Sequence, residues 1–374
     1  MTAKWYVGLM TGTVLDGNID AALLRTDGQN ISEFGLFDLY PYPADIRALL
    51  EDVLDAARIW AFEGPEPQIF AEAERRISLA QARAVSGLAA RAGLALSDIA
   101  AVGFHGQTVL HRAPTSARPG QTRQLGDGQL MADQLGIPVV YDFRSADVAA
   151  GGQGAPLCAV YHVALLEAIS AGSNAAILNL GGVANLSWKG DDRRLIAFDT
   201  GPANAPINDW MKSFDLGEMD RDGALAKSGK VDENRLAALL QHSYFTAPFP
   251  KSLDRFDFTE KMASGCTPED GAALLTAFSA AAVGKGLDLL PSRPDHLYVS
   301  GGGRRNPTLM SELGLRAGVT VQNADEIGWR GDAVEAECFG FLAARKLANL
   351  PLSFPDTTGV PEPMTGGKLA TPNP

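Results

Sequence analysis

The sequence predicts an α/β protein built from two related lobes. Runs of β-branched and aromatic residues alternate with longer segments in which alanine and leucine recur at helical spacing, and this alternation is typical of α/β folds. One local plan occurs twice, near residues 5–24 and 174–188: an apolar strand, a glycine-rich polar turn and a returning strand. The repeat indicates two lobes of related structure with a cleft between them.

The first half of the chain begins with three strands and continues with two helices. The sequence Gly64-Pro65-Glu66-Pro67 separates the helices, because proline and glycine interrupt helical periodicity. One predicted helix starts at Ala44, and the other covers residues 70–92. The predicted strands cover residues 5–10, 19–24, 31–40, 101–104 and 137–143.

The second half repeats this alternation. Strands are predicted at residues 174–180, 183–188, 195–198 and 296–300, and helices at the segment around Trp210, at residues 271–290 and at residues 332–343. The helix at 271–290 is rich in small apolar residues, which indicates a buried helix. The prolines that follow residue 350 predict loops and a loosely held C-terminus.

Composition and charge restrict the class of partner. Of the 374 residues, 46% are hydrophobic and 20% charged, as in packed globular proteins, and the formal net charge is −12. A chain this acidic lacks the basic surface that nucleic acids and anionic membranes require. A small anion remains a possible ligand, because backbone N–H groups bind one locally.

The cysteines and the first residues of the chain predict a cytoplasmic protein. Cys158, Cys266 and Cys338 lie far apart in neither zinc-ligand nor redox-motif spacing, and we expect reduced thiols. The N-terminal apolar run reaches only Met10 before Thr11 and Gly12, which is too short for a signal peptide.

Three glycine-rich turns are candidate binding sites for a phosphorylated ligand. The first, residues 8–17, adds hydroxyl groups and Asp16, a carboxylate that can hold Mg²⁺. The second contains Gly181 and Gly182, and the third is residues 301–303. Each is also compatible with a simple turn or a strand-to-helix connection. No G-x-x-x-x-G-K-[ST] sequence is present, which excludes a P-loop.

Polar residues that follow predicted strands are candidates for catalysis and ligand contact. Asp199 follows a short apolar strand, where a carboxylate serves either as a general base or as a helix N-cap. His105 and Arg144 follow two other strands, and Glu335 lies in a predicted helix with its role left open. The motifs of zinc proteases, α/β-hydrolases and dinucleotide-binding folds are absent, which leaves phosphoryl transfer from ATP as the favoured chemistry.

Seven segments together resemble the anhydro-N-acetylmuramic acid kinase family, and they occur in the family's order. They are residues 8–17, 103–108, 142–144, 147–157, 179–185, 198–204 and 300–303. The resemblance covers nearly the whole chain, from about residue 5 to residue 365.

The resemblance implies two RNase-H-like lobes of the sugar kinase, heat-shock and actin superfamily, with ATP in the cleft between them. The implied reaction converts ATP, water and 1,6-anhydro-N-acetylmuramic acid into N-acetylmuramic acid 6-phosphate and ADP, in the recycling of murein. A homodimer is expected. Residues 1–145 with 345–374 would form the lobe with the sugar-binding loops, and residues 146–344 the lobe with the catalytic acid.

The resemblance also assigns roles to individual residues. Asp199 would be the general base, Asp16 would hold Mg²⁺, and Thr108, Arg144 and Glu335 would contact the sugar. The ATP-binding residues would be Gly12, Thr13, Val14, Leu15, Asp16, Gly17, Asn18, Gly181, Gly182, Asn185, Gly301, Gly302 and Gly303.

The chain departs from the family pattern in the first turn. Thr11 and Val14 replace two serines, and Asp20 lies one residue later than the family's second acid, so we assign the metal to Asp16. These departures leave two alternatives open: a kinase of the same fold acting on another small sugar or acid, and a nucleotide-gated binding protein without turnover.

Overall fold

The structure is a computed structural model that describes residues 2–11, 17–115, 117–171 and 174–373. It divides into two compact units. The first unit comprises Met1–Ala168 with Glu335–Pro374, and the second comprises Ile169–Val334. The sequence places its lobe boundaries at other positions, after residues 145 and 344, and the function of each lobe stays a prediction.

The first part of the chain forms most of the first unit. Its elements are β1 (Lys4–Met10), β2 (Asn18–Thr26), β3 (Ile31–Pro41), α1 (Ala44–Trp60), α2 (Ile69–Arg91), β4 (Ile99–Phe104), β5 (Gln107–Arg112), β6 (Gln121–Leu125), α3 (Gly128–Leu135), β7 (Val139–Tyr141), α4 (Ser145–Ala149) and α5 (Ala159–Ala168).

The second unit follows, and the last two elements return to the first unit. They are β8 (Ala175–Leu180), β9 (Val183–Lys189), β10 (Leu195–Pro202), α6 (Asn204–Ser213), α7 (Ala224–Ser228), α8 (Glu233–Leu239), α9 (Pro268–Leu287), β11 (His296–Ser300), α10 (Pro307–Ala317), β12 (Thr320–Asn323), α11 (Val334–Leu347) and β13 (Lys368–Ala370). Short 3-10 helices cover Leu96–Asp98, Arg221–Gly223, Ser243–Thr246, Glu260–Ala263, Gly302–Arg305 and Ala324–Ile327.

The two main sheets share one topology. In the first unit the strand order is β13-β7-β4-β1-β2-β3, and in the second it is β10-β9-β8-β11-β12. In each sheet the first three strands form an antiparallel meander. On its other side the first strand of the meander pairs parallel with a strand from later in the chain. The α/β class and the repeated plan predicted from the sequence are therefore confirmed, and this mixed strand order is that of an RNase-H-like lobe.

Each unit has its own hydrophobic core. In the first unit α1 and α2 cover one face of the six-stranded sheet, with Val7, Leu9, Val53 and Phe70 in the core. In the second unit α9 lies between the five-stranded sheet and a layer formed by α6, α7 and α8. Fifteen of the 20 residues of α9 are buried, which confirms the predicted buried helix.

Two glycines let α11 approach the opposite face of the first sheet. A Cβ atom on Gly8 of β1 would lie 1.7 Å from the carbonyl oxygen of Ala336, and one on Gly103 of β4 would lie 1.9 Å from that of Phe339. Both distances are far inside van der Waals contact. Because side chains alternate across a strand, the neighbours of Gly8 point into the core on the other face. The sheet therefore requires glycine at both positions.

The prediction of a loosely held C-terminus is wrong. Strand β13 pairs antiparallel with β7 at the edge of the sheet. The Lys368 ammonium lies 2.8 Å from the Asp142 carboxylate, and the Asn373 side chain donates a hydrogen bond to Asp133. Prolines stop the chain from forming long elements in this region, but they do not prevent a three-residue edge strand.

We expect Gly103→Ala to lower the free energy of unfolding by about 2–3 kcal/mol, because the new methyl group must push the α11 backbone off the sheet. Gly314→Ala is the matched control. Gly314 lies in α10 with open space around a built Cβ among the described residues, and alanine favours a helix there by about 0.5–1 kcal/mol. Urea unfolding measures both changes, and an equal effect of the two substitutions would contradict this account of α11.

Candidate functional site

The ends of the first glycine turn are anchored within the first unit. Gly12, Thr13, Val14, Leu15 and Asp16 lie outside the described residues. The Thr11 hydroxyl donates a hydrogen bond of 3.0 Å to the Gly106 carbonyl. On the other side of the turn the Gly17 carbonyl accepts a hydrogen bond of 2.8 Å from the Tyr42 N–H, and β2 begins at Asn18. Asp20 pairs opposite Met10 in an unbroken β1–β2 register.

The second glycine turn, between β8 and β9, is tied to the start of α6. The Gly181 carbonyl accepts hydrogen bonds from the N–H and from the side-chain amide of Asn204, at 3.0 and 2.7 Å. The Gly182 carbonyl accepts a hydrogen bond of 2.9 Å from the Ala203 N–H. Asn185 lies in β9, opposite Asp199 of β10. The turn is therefore hydrogen-bonded to the start of α6, and the strand that follows it pairs with the strand that carries Asp199.

The third turn, residues 301–303, combines two packed glycines with one open glycine. A Cβ on Gly301, which has φ +78°, would lie 2.4 Å from the Asn179 side chain, and one on Gly303 would lie 2.7 Å from Leu180. A Cβ on Gly302 would meet no other described atom within 4 Å. Gly301 and Gly303 are thus required by the packing of the unit itself, while Gly302 presents bare backbone to the surroundings.

A buried arginine braces this third turn. The Arg304 side chain is only 2% exposed and bonds at 2.9 Å to Asp325 and at 2.8 Å to Asp332. It also donates a 3.0 Å hydrogen bond to the Gly301 carbonyl. A buried guanidinium requires such partners, because an unpaired buried charge is costly. Sequence motifs do not reveal this network, since its carboxylates lie 21 and 28 residues further along the chain.

The second unit contains a cavity of about 570 Å³, lined in part by Pro307 and Thr308 at the start of α10. Its polar lining includes Lys227, Thr276, Thr308, Ser311 and Glu312. The Thr276 hydroxyl is buried and makes no hydrogen bond within the described part of the chain. Asp222 also lines the cavity, so about half of its lining residues are polar or charged, and a cavity of this size is large enough for a small molecule.

Asp199 lies inside β10, held by a loop that follows the 3-10 helix Ser243–Thr246. Its N–H donates a hydrogen bond of 3.0 Å to the Lys251 carbonyl, and its carboxylate accepts one of 2.8 Å from the Leu253 N–H. Helix α6 begins at Asn204 with Ala203 at its N-cap, so Asp199 is not the capping residue. Of the two roles that the sequence allows Asp199, the helix N-cap is therefore wrong, and the general base stays a prediction.

Burial raises the pKa of Asp199 to about 7, against the lowering effects of the Leu253 hydrogen bond and of the Lys251 charge. A carboxylate with a pKa near neutrality accepts a proton effectively and is still ionised in a useful fraction of molecules. The residue as a whole is half-buried. The geometry and the pKa of Asp199 thus suit a general base.

In the first unit His105 and Arg144 form a cluster with Glu335. The Arg144 guanidinium donates a hydrogen bond of 3.0 Å to His105 Nε2 and one of 2.6 Å to the Gly154 carbonyl. Burial and the Arg144 charge lower the pKa of His105 to about 3, so the imidazole is neutral and accepts this bond. Burial also lowers the pKa of Arg144, and the charge of Glu335 opposes that effect. The predicted contacts Arg144 and Glu335 therefore lie close enough to interact.

Thr108, the third predicted sugar contact, lies in β5 opposite Gln124. Its hydroxyl is buried and has no hydrogen-bond partner among the described residues. A buried hydroxyl without a partner costs free energy unless a ligand or water pairs with it. The position is thus compatible with recognition of a polar ligand group.

The described residues hold no group of three or more His, Cys, Asp or Glu side chains arranged for a metal ion. Among the described helices, none combines the length and the apolar character needed to cross a bilayer.

The two sheets have the strand order of RNase-H-like lobes, the fold class that includes the sugar kinases. The family model for anhydro-N-acetylmuramic acid kinase matches residues 4–372. The anhydro-N-acetylmuramic acid kinase of Brucella anthropi is 66% identical over 99% of this chain and 100% of its own length. That of Rhizobium rhizogenes is 65% identical over 99% and 100%. The chain belongs to the anhydro-N-acetylmuramic acid kinase family.

Replacement of Asp199 by Asn should change how stability depends on pH. A carboxyl whose folded pKa is raised from 3.8 to about 7 stabilises the fold fully below its ordinary pKa, and that stabilisation is lost as the pH rises through about 7. Asparagine can still accept from the Leu253 N–H but does not titrate. We expect the free energy of unfolding of the native chain to fall relative to that of Asp199→Asn between pH 4 and pH 7.

Urea unfolding at pH 5 and pH 8 measures this difference. A parallel pH dependence of the two proteins would show that the Asp199 carboxyl has an ordinary pKa in the fold.

Proposed function

We propose that this kinase hydrolytically opens 1,6-anhydro-N-acetylmuramic acid and phosphorylates it, giving N-acetylmuramic acid 6-phosphate and ADP. Membership of the family supports the substrate, since relatives at 66% and 65% identity carry that name. The observation that carries the chemistry is the Asp199 carboxylate, fixed inside β10 with a pKa of about 7. A general base of this strength suits the activation of a water molecule near neutral pH.

In the proposed reaction Asp199 removes a proton from water, and the resulting oxygen attacks the anomeric carbon. The bond between that carbon and the bridging oxygen of the anhydro ring breaks. The released oxygen takes the γ-phosphoryl group of ATP, and ADP leaves. Holding the carboxylate rigidly contributes because an oriented base avoids the entropic cost of bringing the groups together. The Leu253 N–H and the Lys251 carbonyl provide that orientation on both sides of Asp199.

We assign the binding of ATP to the three glycine turns. The supporting observation in the second unit is the open backbone at Gly302, next to the packed and braced Gly301 and Gly303. The carbonyl groups of Gly181 and Gly182 bond to the start of α6, which fixes the shape of that turn. The cavity of about 570 Å³, lined by Pro307 and Thr308 shortly after residues 301–303 in the chain, has the size and mixed lining for the adenosine group.

Phosphoryl transfer also requires neutralisation of charge on the phosphates, and Mg²⁺ supplies it in enzymes of this kind. Asp16 remains the proposed ligand for the metal. The remaining ATP contacts of the first turn, Gly12 to Asn18, stay proposals on the same basis.

The sugar contacts proposed are Thr108, Arg144 and Glu335. The unpaired buried hydroxyl of Thr108 suits a sugar hydroxyl or amide group. Arg144, held between His105 and the Gly154 carbonyl, carries a fixed positive charge suited to the lactyl carboxylate of the substrate.

The biological setting is part of the proposal. We infer that the enzyme acts in the cytoplasm on fragments released from murein, binds neither nucleic acid nor membrane, and works as a homodimer. The net charge of −12 supports the exclusion of polyanionic partners.

A coupled assay for ADP release tests the proposed function. We expect turnover with Mg·ATP that depends on 1,6-anhydro-N-acetylmuramic acid, and we expect Asp199→Asn to lower kcat by roughly 100-fold or more, because a general base is lost. Binding of ATP should persist in this variant. The matched control is Asp191→Asn, an exposed acid in the same unit, which should retain native turnover.

Absence of sugar-dependent turnover in the native enzyme would refute the proposed substrate. Turnover of Asp199→Asn close to that of Asp191→Asn would instead refute the role of Asp199 alone.

A further inference from the structure

Asp199 is held by two chain segments more than forty positions away in sequence. The loop containing Lys251 and Leu253 bonds to its N–H and to its carboxylate. The Tyr244 hydroxyl, from the 3-10 helix Ser243–Thr246, donates a short hydrogen bond to its carbonyl oxygen. Backbone and side chain of Asp199 are therefore fixed by groups outside its own strand.

Lys251 links these two segments. Its ammonium donates a 2.7 Å hydrogen bond to the Tyr244 carbonyl and lies 4.3 Å from the centre of the Tyr244 ring. It also lies 5.5 Å from the centre of the Phe198 ring, on the residue before Asp199. Cation–π contacts of this kind strengthen when the cation is desolvated.

The burial of Lys251 is unusual for a lysine. The residue is only 7% exposed, whereas lysine is almost never buried without a partner or a role. Its hydrophobic stem alone would not require burial, since a lysine on a surface loop can extend its ammonium into water. The chain thus buries a positively charged side chain on the residue whose carbonyl accepts the Asp199 N–H.

We propose that Lys251 is a positioning residue for Asp199: Lys251 holds Tyr244 and the surrounding loop in place and contributes a positive charge that acts on the carboxylate. The inference rests on the proposed function, because it gives Lys251 a role in the reaction only if Asp199 is the general base. The chain of contacts runs from the Lys251 ammonium to Tyr244, and from the Tyr244 hydroxyl to the Asp199 backbone.

The charge of Lys251 acts on the ionisation of Asp199. It lowers the pKa of the carboxyl, in the same direction as the Leu253 hydrogen bond, while burial raises it. Burial lowers the pKa of Lys251 to about 8, and the negative charge of Asp199 opposes that lowering. Burial raises the pKa of the Tyr244 phenol, and the negative charges of Asp199 and Asp257 act on it in the same direction. Loss of the ammonium should therefore leave Asp199 protonated at higher pH.

The test compares the pH dependence of kcat/KM in the native enzyme with that in Lys251→Met and Lys251→Gln. Both variants lack the charge, and only the glutamine can still donate a hydrogen bond to the Tyr244 carbonyl. We expect the acidic limb to move up by about one pH unit in both variants, a roughly tenfold loss at pH 6 that shrinks at pH 8.5. Lys251→Arg should restore the limb, since it keeps the charge. The control is Lys285→Met, at an exposed lysine of α9.

A loss that is equal at every pH, or no loss at all, would overturn the proposal, because a purely structural role does not move the limb. If Lys251→Met does not fold, the comparison of Lys251→Gln with Lys251→Arg decides the same question.

A second readout does not depend on turnover. Carbon-13 NMR of aspartate carboxyl groups, with the Asp199 signal assigned by its loss in Asp199→Asn, should show a higher pKa in Lys251→Gln than in the native chain. If the native enzyme fails to turn over the anhydro sugar but this shift is present, the proposed function fails and the coupling of Lys251 to Asp199 stands. An unchanged Asp199 pKa would overturn the coupling.

Discussion

The partial burial of one carboxylate, that of Asp199, is the constraint on which the arrangement of the second unit's site depends. Burial alone would keep the carboxyl protonated at neutral pH, and the Leu253 N–H and the Lys251 charge oppose it. The balance leaves a pKa of about 7, which is useful for a proton acceptor. To provide these groups, the chain brings the loop around Lys251 against β10 and fixes it through Tyr244.

The repeated sheet topology places this carboxylate beside a glycine turn. In the second unit Asn185, which follows the turn, pairs with Asp199 in the β9–β10 register, and the turn itself bonds to the start of α6. The first unit uses the same strand order but a different packing device. There α11 lies so close to the sheet that Gly8 and Gly103 cannot carry a side chain.

Local patterns in the sequence were sufficient for most strands and helices, because apolar periodicity and glycine turns are local signals. They also indicated Asp199, since a carboxylate at a short apolar strand is visible in the sequence. Lys251, Tyr244 and the Arg304 network could not be found this way, because their partners lie far apart in the chain and share no periodicity. The edge strand β13 was missed because nearby prolines conceal three residues that pair with β7.

Oxygen-18 water tests most directly the central claim that a water activated by Asp199 attacks the sugar. Turnover in labelled water, with early quenching and mass spectrometry of the product, reports where the new oxygen enters. The account predicts the label in the hydroxyl group at the anomeric carbon and an unlabelled phosphoryl group. Label in the phosphoryl group, or in neither position, would contradict it.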